Sequence, residues 1–163
     1  MNKKAIGDTA EKFVADYLSM FGYKCEIHPR TYKVLHLKGG KTIVVSTDND
    51  YHNSFDVKAE GPNDMIYAQV KFMPDGTVSS GHISHAKRNI DKNYPYNFHY
   101  QRIQVWMVWK EWVKEPRRHR EFKVRVWERT GYDEKVVSGI HKIVGRWEEI
   151  NLNELILSEA VNE

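Results

Sequence analysis

The stretch Ser54-Phe55-Asp56-Val57-Lys58-Ala59-Glu60, then Gly61-Pro62-Asn63-Asp64, then Met65-Ile66-Tyr67-Ala68-Gln69-Val70-Lys71-Phe72 decides the reading of this chain. Gly-Pro-Asn-Asp is a turn signal between two runs of strand-forming residues, so the segment reads as strand, turn, strand. The second strand alternates. Ile66, Ala68, Val70 and Phe72 fall on one face, and Tyr67, Gln69 and Lys71 on the other. Asp56, expected within the first strand between Phe55 and Val57, should point away from the core those two fill. Acids are disfavoured in strands, so its presence calls for a partner. The hairpin should bring Asp56 close to Gln69 and Lys71. An acid, a second oxygen donor and a lysine at one end of a hairpin can hold a divalent cation against a phosphate.

Outward from this hairpin the chain reads as one α/β (α+β) domain over residues 1–163, with helices flanking a central mixed β-sheet. A helix reinforced at Asp8 or Thr9 should run to about Phe21, because Ile6, Ala10, Phe13, Tyr17 and Phe21 recur at helical spacing. Gly22 should stop it. Thr31–Leu37 and Lys41–Thr47 read as strands joined by Gly39-Gly40, with Asp48-Asn49-Asp50 ending the second. A short helix should start near Ser79-Ser80-Gly81 and end before Tyr94-Pro95. Ile103–Trp109 is apolar on both faces, as a covered central strand would be. Phe122–Trp127 reads as its neighbour. A strand around Trp147–Ile150 and a short helix from about Asn151 should close the chain.

The 163 residues are 40% hydrophobic and 29% charged, ordinary for a globular protein. No apolar run approaches the roughly 18 residues of a membrane span. The start, MNKKAIGDTAEKF, lacks the apolar stretch of a signal peptide. A single cysteine, Cys25, excludes an internal disulfide framework and a cysteine zinc cluster, so a cytoplasmic location is expected. Walker, dinucleotide-binding and nucleophile-elbow patterns are missing from the sequence.

Net charge is +3, and the basic residues are unevenly spread. From Arg102 to Arg129 there are nine Lys and Arg against four Asp and Glu. Many lie in Lys114–Lys123 (KEPRRHREFK), which reads either as a solvated hairpin loop or as a nucleic-acid surface carrying Arg117, Arg118 and Arg120. Arg30, just after the first helix, and Lys87 and Arg88, on the second, are further candidates for phosphate contact. Nine tyrosines and five tryptophans offer stacking surfaces, some of them core. Glu11 lies beside Val14 and Leu18 on the flank of the apolar helix stripe, where a carboxylate needs compensation. His52 reads either as a site residue or as the end of a loop. His82 and His85 lack a third ligand.

Gly7-x-x-x-Glu11, then Phe55-Asp56, then a thirteen-residue step to Gln69-Val70-Lys71, resembles the restriction-endonuclease-like, or PD-(D/E)xK, nuclease superfamily. Within it the chain is most similar to the archaeal-type Holliday junction resolvases, over roughly residues 3–110. The resemblance implies a restriction-endonuclease-like core and a structure-specific, metal-dependent DNA endonuclease that acts as a homodimer, with Trp112 a candidate for that interface. It implies that Asp56 is the central ligand of Mg²⁺ or Mn²⁺ and that Gln69 is the second. The backbone carbonyl of Val70 then also coordinates, Glu11 binds a metal directly or through water, and Lys71 steadies the attacking water or the phosphate charge. Phe55 replaces the proline that names the motif. Gln69 replaces the usual acid, which keeps an oxygen donor but removes a charge, so metal binding without DNA should be weaker. Two alternatives share these residues: a catalytically inactive nucleic-acid-binding module, and a restriction or repair endonuclease with sequence or lesion specificity.

Overall fold

A computed structural model of the protein describes residues 3–28, 32–46, 51, 52 and 54–152. Among them the order is α1 (Lys3–Ser19), β1 (Lys24–Ile27), β2 (Tyr32–His36), β3 (Thr42–Ser46), β4 (Val57–Glu60), β5 (Met65–Phe72), α2 (Ser80–Asn93), β6 (Gln101–Val113), β7 (His119–Val137) and β8 (Ile140–Ile150). Helix α1 begins earlier than Asp8 and ends at Ser19, short of Phe21, in a turn where the Gly22 amide donates to the Ser19 carbonyl. Gly22 then takes φ +89°, a left-handed conformation that turns the chain into β1. Helix α2 starts and stops where the sequence places it. Ser79 Oγ accepts from the His82 amide at 3.2 Å, and the Tyr94 amide donates to Ile90 O at 2.7 Å.

Six strands form one mixed sheet in the order β1-β4-β5-β6-β7-β8. Only the β5–β6 pair is parallel, and α2 is the crossover that such a pair requires. Strand β1, which the sequence reading missed, lies antiparallel to β4 at the sheet edge. Strands β2 and β3 pair only with each other, as a separate hairpin turning at Gly39 and Gly40. The fold is therefore α+β, a mixed six-stranded sheet with one helix on each side. The proposed Asp48-Asn49-Asp50 loop lies outside the described residues, as does a helix beyond Leu152.

The sheet divides two apolar layers. On one face Ala10, Val14 and Leu18 of α1 meet Val57, Ala59, Ile66, Ala68, Val70, Trp106 and Val108. On the other, Ala86 and Ile90 of α2 meet Tyr67, Ile103, Val105, Met107 and Trp127, with Phe55 and Tyr94. Strand β6 is covered on both faces, as its two-sided apolar run requires.

Two polar clusters lock the layers. Gln104, fully buried, accepts from Trp106 Nε1 at 2.8 Å and donates to Glu128, which also pairs with Arg102 at 2.7 Å. Arg129, whose side chain is 1% exposed, pairs with Asp91 of α2 at 3.1 Å and donates to Tyr94 O. Asp91 also accepts from the Gly145 amide, so helix α2 is tied to β7 and β8. Neither helix is long and apolar enough to cross a membrane.

Candidate functional site

Strands β4 and β5 separate at Asp56. The last regular rung pairs Val57 with Ala68, and Asp56 N still donates to Ala68 O at 2.9 Å. Two residues further along β5, the Val70 amide has lost its backbone partner and donates instead to Asp56 Oδ2 at 2.8 Å. The carboxylate thus takes the place of the next ladder bond. That is a structural reason for an acid here, because an orphaned buried amide costs about 1–3 kcal/mol. It also fixes the carboxylate in the plane of the sheet at the point where the strands part.

Asp56 is not the mid-strand residue that its sequence neighbours suggest. Strand β4 starts at Val57, and Asp56 is a bend. Phe55 packs in the α2-side layer and Val57 in the α1-side layer, so the two do not share a face. The cause is the tight turn before them. Tyr51 and Phe55 exchange both backbone hydrogen bonds at 2.9 Å, which turns Phe55 over before β4 begins. The nearby Lys58 ammonium lies 2.9 Å from Glu60.

Gln69 and Lys71 share the α2-side face with Tyr67, as the alternation predicts. Gln69 is 5% exposed, and its buried Oε1 has no hydrogen-bond partner. An amide oxygen left so is uncommon and needs an explanation. Lys71 is half-buried. Val70 is buried in the other layer, and in strand geometry its carbonyl leaves on the same side as its amide, toward Asp56. Glu11 is 5% exposed on α1, which packs on β1, β4 and β5 from the Val70 side. Glu11 and Gln69 therefore approach from opposite faces, and they can meet only beyond the last β4 rung.

One member of this neighbourhood was missed by the sequence reading. His28 follows β1 directly and donates its amide to Asp56 O at 3.1 Å, so it stands across from Asp56 on the neighbouring strand. Its Nδ1 is buried without a hydrogen-bond partner among the described residues. A lone histidine between Ile27 and Pro29 carries no sequence signal; only the β1–β4 register reveals it.

The residues present fit a hard divalent cation. Asp56 supplies a carboxylate, Gln69 an amide oxygen that lacks a hydrogen-bond partner among the described residues, and Val70 a carbonyl, a donor set of the kind Mg²⁺ and Ca²⁺ take. Three His, Cys, Asp or Glu side chains gathered as metal donors do not occur among the described residues, so the fit rests on neutral oxygens beside Asp56.

The candidate phosphate contacts separate into two groups. Arg117, Arg118 and Arg120 are exposed on the β6–β7 hairpin, and the guanidinium groups of Arg118 and Arg120 lie 4.6 and 5.7 Å from the ring of Trp112, itself 59% exposed. Lys87, in contrast, is partly buried on α2. Burial lowers its ammonium pKa, while Asp91 and Glu149 pull the other way. Arg88 is exposed and donates to Ser84 O. Arg30 lies outside the described residues. His52 is exposed at φ +51°, with its ring against Tyr67 and Tyr94. Beyond Tyr94, the exposed rings of Tyr96, Phe98 and Tyr100 follow one another at 6.0 and 5.8 Å.

Comparison with protein-family models, curated protein sequences and solved structures finds no match for this chain.

Proposed function

We propose that the protein is a metal-dependent DNA endonuclease of the restriction-endonuclease-like, PD-(D/E)xK kind, structure-specific in the manner of Holliday junction resolvases. One observation carries this reading: Asp56 is fixed at the parting of β4 and β5, beside Gln69, whose buried Oε1 has no hydrogen-bond partner among the described residues. Asp56, Gln69 and the Val70 carbonyl would hold Mg²⁺ or Mn²⁺. Such an ion, once bound, would supply an acidified water and offset charge during in-line displacement at phosphorus.

The chain's own residues do the rest. Lys71, two positions from Gln69 on the same face, puts a positive charge where the phosphorane becomes more negative. Glu11, on the α1 side, would bind the ion directly or through water. The Arg117, Arg118, Arg120 and Trp112 surface supplies sequence-independent phosphate contacts and a ring for stacking. A symmetric two-strand cut calls for a homodimer.

A second reading keeps the same surface without cleavage. Gln69 removes one negative charge from the ion site, which leaves a nucleic-acid-binding module on the same scaffold. Cleavage of four-way junction, flap, nicked and linear duplexes with Mg²⁺ or Mn²⁺ separates the readings. Cutting by wild type but not by Asp56→Ala or Lys71→Ala is expected, with the junction preferred. Cutting of linear duplex at one sequence, or only at a lesion, would move the reading to a restriction or repair enzyme. Tight, salt-sensitive binding without cutting would leave the binding module.

A further inference from the structure

We propose that His28 is a further ligand of this ion site, and that its imidazole shifts the site's preference from Mg²⁺ toward nitrogen-accepting transition-metal ions. This rests on the metal-site reading above. The placement follows from register. Ile27, Val57 and Ala68 form one row across β1, β4 and β5, and Val57 and Ala68 face α1. One step further, His28 N donates to Asp56 O at 3.1 Å, and Gln69 follows Ala68, whose carbonyl accepts from Asp56 N at 2.9 Å. Side chains reverse face at each step along a strand, so His28, one step beyond Ile27, and Gln69, one step beyond Ala68, face α2, on either side of the Asp56 carboxylate in the sheet plane.

Ring contacts agree. His28 meets the edge of Tyr51 at 4.7 Å, and Tyr51 packs in the α2-side layer beside Tyr67. His28 and Gln69 stand two strand spacings apart, about 10 Å between backbones, with Asp56 between them. Side chains on strands that far apart can lean inward to one ion held between them.

Of the three buried side-chain nitrogen and oxygen atoms that lack a hydrogen-bond partner among the described residues, two are His28 Nδ1 and Gln69 Oε1, and they flank the same aspartate. Buried polar atoms are seldom left so. One ion bound to both, and to Asp56, satisfies them together. Nδ1 then carries the lone pair and the ring proton sits on Nε2. A nitrogen donor adds little for Mg²⁺, which prefers oxygen, and much for Co²⁺.

The test uses the full chain and Mg²⁺, Mn²⁺ and Co²⁺ as probes, with titration calorimetry, thermal shift and the visible absorption of Co²⁺ as readouts. The expected result is that His28→Ala weakens Co²⁺ by at least about tenfold and alters its absorption band, while Mg²⁺ affinity stays within about twofold. His28→Gln serves as a second variant; its melting temperature in EDTA should match wild type. Unchanged Co²⁺ affinity and spectrum in His28→Ala would overturn the proposal and leave the metal-site reading standing. Equal weakening of all three ions would assign His28 a merely structural role. Failure of wild type to bind any of the three ions would remove the metal-site reading itself.

Discussion

Gln69→Glu tests the site where it is weakest. The replacement is nearly isosteric and puts a carboxylate where an unpartnered amide oxygen now lies, at 5% exposure. A buried ion without a partner costs several kcal/mol even after relaxation. With Lys71 two positions away on the same face, a net cost of about 3 kcal/mol is reasonable for the ion-free variant. For a domain of this size, 1 kcal/mol corresponds to roughly 2–4 °C, so melting in EDTA should fall by about 6–12 °C. Burial raises the pKa of the introduced carboxyl in the folded state, so the folded protein binds its proton more tightly. The deficit is then absent below the unfolded value of about 4.3 and grows as pH rises through the folded value. A cation at a hundred times its dissociation constant returns about 2.7 kcal/mol, or roughly 5–11 °C. The assay is differential scanning fluorimetry of wild type and variant, in EDTA and in Mn²⁺, from pH 4 to 8. A variant destabilised in EDTA and rescued by Mn²⁺ by more than wild type is the expected outcome. Loss without rescue, or no loss at all, refutes the ion site.

Four further outcomes are expected. Asp56→Ala orphans the Val70 amide and should cost about 1–3 kcal/mol, whereas Asp56→Asn keeps an acceptor and most of that stability; chemical denaturation of both separates the cap from the charge. Gly145→Ala drives a Cβ into Asp91 Oδ1 and to 2.9 Å from Arg129 Cδ, so it should break the buried pair and cost about 3–5 kcal/mol in urea unfolding. Arg125 grips Glu149 through two contacts of 2.8 Å and holds its carboxyl below the ordinary value of 4.5. The pair's contribution is therefore present above that value and lost as pH falls through the lowered one. Glu149→Gln should cost under about 1 kcal/mol at neutral pH, both groups being half-exposed, and the two melting curves should converge in acid. Arg118→Ala with Arg120→Ala should lower the slope of log affinity for DNA against log salt by about 2 with no change in melting temperature; an unchanged slope would remove the hairpin from the DNA surface.

Much of the scaffold was legible in local pattern. Helices α1 and α2, the alternation of β5 and the two-sided burial of β6 follow from the spacing of Ala10, Val14 and Leu18, from the Ser79 cap, and from the runs at Met65–Phe72 and Ile103–Trp109. The same alternation placed Gln69 and Lys71 on one face. These are short-range properties, fixed by periodicity and capping within a few residues. Whether β2 and β3 join the main sheet was not legible, because a hairpin satisfies its own ladder whichever sheet lies nearby.

What only the tertiary structure decided is which distant residues stand side by side. Strand β1 has four residues with no strong strand signal, and only its pairing with β4 defines it. That pairing sets His28 opposite Asp56. The turn from Tyr51 to Phe55 flips Phe55 to the α2 layer, so Asp56 becomes a bend that caps Val70 rather than a mid-strand acid. Glu11, legible as a flank residue, proves to approach from the opposite side of the sheet from Gln69. The sequence alone determined the residue types and their faces. Register across strands, a matter of hydrogen bonds between segments tens of residues apart, determined which of them share a site.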